Sequence, residues 1–438
     1  MNPPLPIDGV LPPDLQGTLV RIGPGDAAAG ALHAIELRDG QAVSYTTAPS
    51  SADANVFWHA GAVLALAESG LPQRFTRLLE AEEFDGGLSE PIASHVRPDA
   101  ATGERLLFRV EPGSESSSPA LHLGEWDAAG ALVRAQSVPL ERATWQHDIG
   151  LTARHVVFME SPTDFGADLA GGGDDGGDGG GEGDGRGGAV AVPFRWTPGA
   201  EGWIGITERN GDGSAVRWIR QDPCLVTHVV GAYDEGEVGV DRDGGAIVLH
   251  VIRYPVPESG QPFDLDSSVV GAAGIGESLI GGGLGVLERW RITGTSCEQL
   301  QVDDREIEYM TADPLCAAGI FRYGYGVEVA RGLGHGREGE VDHLGLVQFD
   351  LARAEVRAWR PGEHRVASEP LFVRASDGTN DNEGWLLTVV HDATRGASDL
   401  YVLDASAFGR RGPQAVVHLP AGLPFRSHGT WVGADRYR

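Results

Sequence analysis

The feature that most constrains this chain is a succession of short apolar segments broken by tight turns, running from its first residues to its last. GTLVRIG (17–23), AVSYTT (42–47), RLLFRV (105–110), HVVFME (155–160), AIVLHVIRY (246–254), LGLVQFDL (344–351), WLLTVVHD (385–392) and YVLDA (401–405) have the length and the β-branched and aromatic content of strands. Between them lie turn-forming stretches such as PDAATGE, WDAAG, WTPGAEG, RITGT and LARAE. Gly 64 in 438 residues is high, about twice the ordinary share of roughly 7%, and glycine is disfavoured inside helices. The pattern predicts an all-β fold: a sandwich, a barrel or a propeller. At this length a closed ring of blades is the most economical of the three, because it leaves only short protected edges. Internal similarity is too weak to give the number of blades.

Two segments break the pattern. Residues 171–188, GGGDDGGDGGGEGDGRGG, are low-complexity glycine with five acids and one Arg. Such a run buries too little surface to offset its ordering entropy, so it reads as a disordered surface insertion. It lacks the recurring apolar position of calcium-binding nonapeptide repeats. Residues 266–287, DSSVVGAAGIGESLIGGGLGVL, are apolar and nearly uncharged, with Glu277 as the one charged group after the leading Asp266. They read as a buried loop, or as a lid at a tunnel mouth. Their Gly-x-Gly pieces lack the βαβ frame of a dinucleotide site.

Charge and missing residue types exclude whole classes of chemistry. Lys+Arg 34 against Asp+Glu 63 gives a net charge of −29, which rules against a nucleic-acid partner. All the basic residues are Arg; the sequence contains no Lys. That removes the phosphate-binding lysine of P-loops and kinases, Schiff-base chemistry and the Ser-x-x-Lys dyad. Neither a Gly-x-Ser-x-Gly elbow nor a His-Glu-x-x-His helix occurs, so serine-hydrolase and zincin readings lack their markers. Cys224, Cys297 and Cys316 are scattered, with no metal or disulfide spacing. No signal peptide and no run of about 20 apolar residues is evident, so a reduced, cytoplasmic setting is expected.

The remaining candidates are histidines. Four of the fourteen stand out by context: His95 in IASHVRPD, His147 in TWQHDIGLT, His228 in CLVTHVVGAYDEG and His428 in PFRSHGTW. Their separations of 52, 81 and 200 residues exclude a local clip. They meet only if separate structural units each deliver one side chain to a common axis, as the hub of a propeller does.

Read in order, LPPDLQGTLVRIGPG, NVFWHAGAVLALAESGLP, SHVRPDAATGE, HDIGLT, FRWTPGAEGWIGI, RWIRQDPCLVTHVVGAYDEG, FRYGYG, SEPLFV, NEGWLLTVVHD, LYVLDA and LPFRSHGTW resemble the carotenoid cleavage oxygenases from about residue 8 to 433. The resemblance implies a seven-bladed β-propeller with a loop and helix dome over the iron-bearing face, formed by residues 1–438 as one domain. It implies Fe(2+) held by His95, His147, His228 and His428, with open positions for O2. It further implies that Glu68, Glu308 and Glu369 accept the Nδ1–H of His147, His228 and His428 respectively. The implied activity is oxygenative cleavage of a conjugated carbon–carbon double bond of a carotenoid or apocarotenoid to two carbonyl products. The substrate would be an apolar polyene; peripheral membrane contact is one route for its uptake, which the sequence does not decide. Phe57, Trp58, Phe321, Tyr323 and Tyr325 are candidates for a tunnel lining, with core packing as the alternative.

The chain departs from the family pattern in four places. HWFDGDG is missing after the first Gly-Pro, which predicts a shortened first blade or loop. Around the third histidine, F-H-x-x-N-A reads T-H-V-V-G-A, so Thr227 and Gly231 predict a roomier or less ordered pocket. Around Glu308 the family's EFPR reads EYMT. Phenol-cleaving stilbene members carry a Lys before the glutamate matched by Glu68; here Ala67 stands in that place. The departures leave a second reading, a decayed propeller that binds an apolar ligand or a partner without turnover. A calcium-dependent lactonase propeller would need carboxylate and amide oxygens on the axis, where this sequence offers imidazoles.

Overall fold

The computed structural model describes residues 4–24, 30–114, 116–164, 195–197, 199–236, 245–255, 285–331, 341–420, 423 and 428–434. The insertion at 171–188 and residues 266–284 of the apolar glycine-rich segment lie outside them. Within them the chain is all-β, with one short 3-10 turn at Pro314–Cys316 and no α-helix, so the expected helices of the dome are not found among the described residues.

The strands form seven antiparallel blades around one hub. From the hub outward, blade 1 is Gly429–Gly433, Gly17–Pro24, Gly30–Arg38 and Gln41–Ser50. Blade 2 is Asn55–His59, Ala62–Leu66, Gln73–Phe75 and Ala81–Glu82, and blade 3 is Arg97–Pro98, Arg105–Glu111, Ala120–Trp126 and Leu132–Pro139. Blade 4 is Gly150–Leu151, His155–Glu160, Gly202–Glu208 and Val216–Gln221. Blade 5 is Cys224–Glu235, Ala246–Pro255, Val286–Thr293 and the first part of Ser296–Ala312. That long strand then changes sheets. Its last residues, from Ile307, become the inner edge of blade 6, followed by Tyr323–Arg331, Val341–Asp350 and Glu355–Trp359. In blade 7, Arg365–Ala367 and Leu371–Arg374 share the inner side of Gly384–Asp392, which pairs onward to Ala397–Asp404 and Ala415–His418.

The two chain ends close the ring. The last strand, Gly429–Gly433, pairs with the first long one, with Arg21 opposite Gly429 and Gly17 opposite Gly433. Ile7–Gly9 adds an outermost strand to blade 7. Packing makes the same point. Seven buried clusters fill seven junctions, one between each pair of neighbouring blades, including the junction of blade 7 with blade 1 that joins Leu387, Val389 and Val402 to Leu19 and Ile35.

Successive residues of a strand within a blade point into opposite junctions, because strand side chains alternate. Leu19 enters the 7/1 core and Val20 the 1/2 core. Val156 and Phe158 enter the 3/4 core, Val157 and Met159 the 4/5 core. A strand buried on both faces must be apolar at consecutive positions, which is why runs such as HVVFME show little alternation.

The first blade is not shortened. It keeps four strands, of which three have 8, 9 and 10 residues. The missing HWFDGDG stretch instead falls at the connection over residues 25–29, outside the described residues.

Candidate metal centre

Each blade delivers one of the seven singled-out residues to the hub. His428 precedes the inner strand of blade 1, His95 and His147 precede those of blades 3 and 4, and His228 lies within that of blade 5. Glu308 sits on the inner strand of blade 6, Glu369 between the two inner strands of blade 7, and Glu68 just after Ala62–Leu66 of blade 2.

All four imidazoles meet. The ring of His95 lies 4.4 Å from that of His147, 5.1 Å from His228 and 5.0 Å from His428, centroid to centroid. His228 lies 5.3 Å from His147 and 5.4 Å from His428. Ligand nitrogens of His95, His147 and His228 fall within 4.8 Å of one another. The rings meet edge to face, with interplanar angles of 64° to 87°.

Three of these histidines rest on carboxylates. His147 Nδ1 is 2.7 Å from Glu68 Oε1, His228 Nδ1 2.9 Å from Glu308 Oε2, and His428 Nδ1 2.8 Å from Glu369 Oε1. A carboxylate acceptor places the proton of a neutral imidazole on Nδ1 and leaves the Nε2 lone pair free for a metal. His228 Nε2 fits that role: it is buried and has no hydrogen-bond partner. An unpaired buried nitrogen beside three other imidazoles fits a ligand atom of a transition metal.

Burial and the carboxylates pull these rings in opposite directions. Burial, and then the neighbouring imidazoles of His147, His428 and His228, hold His95 well below the ordinary histidine range, so it is neutral. Burial also acts on His147, but the Glu68 carboxylate outweighs it and raises that histidine. Glu308 and Glu369 are held low despite full burial, by His228 and His428 respectively.

Several supporting residues carry no local motif that announces them. Arg21 is 1% exposed and donates to the Glu369 carbonyl oxygen at 3.0 Å and to Glu369 Oε2 at 3.5 Å. The N–H of Gly429 donates to the same Oε2 at 2.8 Å. Glycine is required there, because a Cβ would stand 2.6 Å from Arg21 Cδ and 2.9 Å from the Val20 carbonyl oxygen. The Tyr254 hydroxyl donates to Glu308 Oε1, and the Thr227 hydroxyl lies 3.3 Å from the same atom. The one sequence signal for Arg21 is that it interrupts the apolar run LVRI.

The pocket beside His228 is not roomier. Thr227 is fully buried on Glu308, and the volume above Gly231 is taken by Phe321, whose Cε1 would lie 2.5 Å from a Cβ at 231. Of the other aromatic candidates, Phe57, Trp58 and Tyr325 are buried in inter-blade cores, and Tyr323 packs at the edge of one while lying under the Arg322 guanidinium. The aromatic rings against the histidines are instead Trp145, 4.9 Å from His147, and Tyr309, 5.4 Å from His428 and 6.1 Å from His228. Trp145 was not singled out in the sequence, although its place in TWQHD, two residues before a histidine, is a signal that could have found it.

The family model described as RPE65, retinal pigment epithelial membrane protein, matches residues 33–433. The chain belongs to the carotenoid cleavage oxygenase family. An isoeugenol monooxygenase of Pseudomonas nitroreducens is 27% identical over 396 residues, covering 87% of this chain and 75% of that protein. A carotenoid cleavage oxygenase of Mycobacterium tuberculosis H37Rv is 24% identical, covering 98% and 94%. The crystal structure of cobalt-substituted Synechocystis ACO superposes with a TM-score of 0.78 at 22% identity, over 98% of this chain and 95% of that one. Family membership makes the chain an oxygenase-type protein with the propeller fold; the double bond it acts on is a separate matter. Among the described residues no helix is long and apolar enough to cross a membrane.

Proposed function

We propose that this protein is an iron-dependent dioxygenase that cleaves a conjugated carbon–carbon double bond of a carotenoid or apocarotenoid to two carbonyl products. The observation that carries the reading is the convergence of four imidazoles with three Nδ1 atoms engaged by carboxylates. His95, His147, His228 and His428 would hold the ion. Imidazole donors suit several first-row metals, and iron among them is supported by the family. Bound iron supplies the binding and activation of O2.

The chain's own residues supply position and dryness. The three carboxylates orient their imidazoles and keep the Nδ1 proton in place, so the lone pairs converge without reorganisation. Glu308 and Glu369 are buried, and Glu68 is partly exposed at 21% of its side chain. The net conversion, alkene plus O2 to two carbonyls, moves no proton, so no general base is required.

A second substrate class has a specific observation in its favour: an isoeugenol monooxygenase is among the more similar relatives. An aryl propenyl alkene therefore belongs in the test beside polyenes. Against a phenolate held by an ammonium stands Ala67, with no lysine in the chain to substitute. Aerobic incubation of iron-loaded protein with carotenoids, apocarotenals, stilbenes and isoeugenol, read by product mass, distinguishes these classes. The proposal expects an aldehyde or ketone pair from a polyene. Carbonyl products from isoeugenol or a stilbene alone would replace the polyene substrate. No product from any of them, with iron bound, would favour the ligand-binding propeller.

A further inference from the structure

His95 is the one hub histidine that has no carboxylate on its ring among the described residues, yet it sits at the centre of the cluster, against all three others. Its neighbours in the chain are held instead. The Ser94 hydroxyl donates to Glu68 Oε2 at 3.1 Å, the other oxygen of the carboxylate that holds His147. The Ser94 carbonyl accepts from Asn55 Nδ2 at 2.9 Å.

On the far side of His95, Arg97 enters a closed arrangement with blades 4 and 5. Its guanidinium pairs with Asp148 Oδ2 at 3.3 Å and also donates to the Val229 carbonyl oxygen. Asp148 Oδ2 accepts the Val229 N–H at 2.7 Å, and Asp148 Oδ1 accepts the N–H of Ile149 at 2.8 Å. Asp148 follows His147 and Val229 follows His228. One ion pair therefore ties together the backbone beside three of the four histidines.

The strand bearing His228 needs such a tie. Its register slips on both sides of the histidine, between Val226 and His228 and between Val229 and Gly231. The Val229 N–H and carbonyl turn to Asp148 and Arg97 at the hub edge of the strand, where no neighbouring strand is found among the described residues. Asp148 is 1% exposed and Arg97 17% at their side chains, so the pair is shielded from water and from screening. The same device appears once more at the hub: Glu369 Oε2 takes the N–H after His428 together with Arg21.

We propose that Arg97 and Asp148 are positioning residues of the metal centre, setting His95 and His228 through the backbone, while the glutamates set the rings of His147, His228 and His428 through Nδ1. The inference rests on the metal-centre reading above and deepens it. The test uses Co(II) as the probe with the full-length protein and its R97A, R97K, D148A and D148N variants. Three quantities are read: Co(II) affinity by chelator competition, the Co(II) d–d absorption spectrum, and thermal unfolding of the metal-free protein.

We expect R97A and D148N to weaken Co(II) binding by about 10–100-fold, the range seen when groups that orient metal ligands are lost, with a changed d–d spectrum. R97K should restore part of the affinity, because an ammonium can still reach one oxygen of Asp148. If D148A does not fold, R97A and D148N carry the test. Wild-type affinity and spectrum in both would overturn the proposal. So would affinities that fall with an unchanged spectrum and only in step with metal-free stability, since the pair would then be a structural brace. Failure of wild-type protein itself to bind Co(II) would instead sink the metal-centre reading.

Discussion

Arg21 is a buried cation whose carboxylate partner is 348 residues away in sequence and faces it across the ring closure. Removing one partner of a buried ion pair strands the other, at a typical cost of about 3–5 kcal/mol. Arg21→Met is therefore expected to lower unfolding free energy by about that amount, measured by denaturant titration of the metal-free protein. Glu369→Gln should cost less, since an amide oxygen can still accept from His428 or Gly429, but should weaken metal binding by about 10–100-fold. Equal stability of Arg21→Met and wild type would contradict this account of the Glu369 support. The histidines were legible in the sequence because each lies in a distinctive local phrase, and the three glutamates followed by resemblance. Arg21, Tyr254 and the Arg97–Asp148 pair were not, because their meaning lies in partners that only the closed ring brings near.

At the level of strands, continuous apolar runs correctly announced strands within the blades, and the two-sided burial of each blade explains why alternation was weak. Blade number was hidden because the repeats share geometry without sharing residues, and because Ser296–Ala312 serves two blades within one uninterrupted strand. The expectation of space beside His228 failed for a related reason: Phe321, from a connection of blade 6, fills the volume that a side chain at 231 would take.

Strand burial also sets an acid response. Burial, joined by nearby arginines, holds His33, His59 and His250 down to about 4. In the unfolded chain each takes up a proton near its ordinary value of about 6.5. Between about 6.5 and about 4 the unfolded state then binds more protons, so stability falls as pH falls through that window and loses nothing further from these groups below it. His418 and His147, where burial is outweighed by carboxylates, run the other way. The lowered set includes His95 as well and outnumbers them. The urea midpoint of metal-free protein should therefore be lower at pH 5 than at pH 7; a midpoint that rises toward acid would contradict this.

For the whole molecule, closure is the condition for the site. The chain's last strand carries Gly429 onto Arg21 and sets His428 beside the other rings, so fold and centre are completed by the same residues. Deleting residues 429–438 leaves Gly17–Pro24 with an open inner edge and Leu19 and Val20 beside an unfilled junction. Such a protein is expected to lose its cooperative thermal transition and its metal affinity together. A truncated chain that unfolds cooperatively near the wild-type temperature would show that closure is dispensable.

The most direct test of the central claim is iron content after anaerobic Fe(II) loading and desalting, for wild type and for single alanine replacements of His95, His147, His228 and His428. The account predicts about one iron per chain in the wild type. It predicts a large loss in each variant, with the β-rich circular dichroism spectrum retained. Iron absent from the wild type, or held equally well when His228 is replaced, would contradict it.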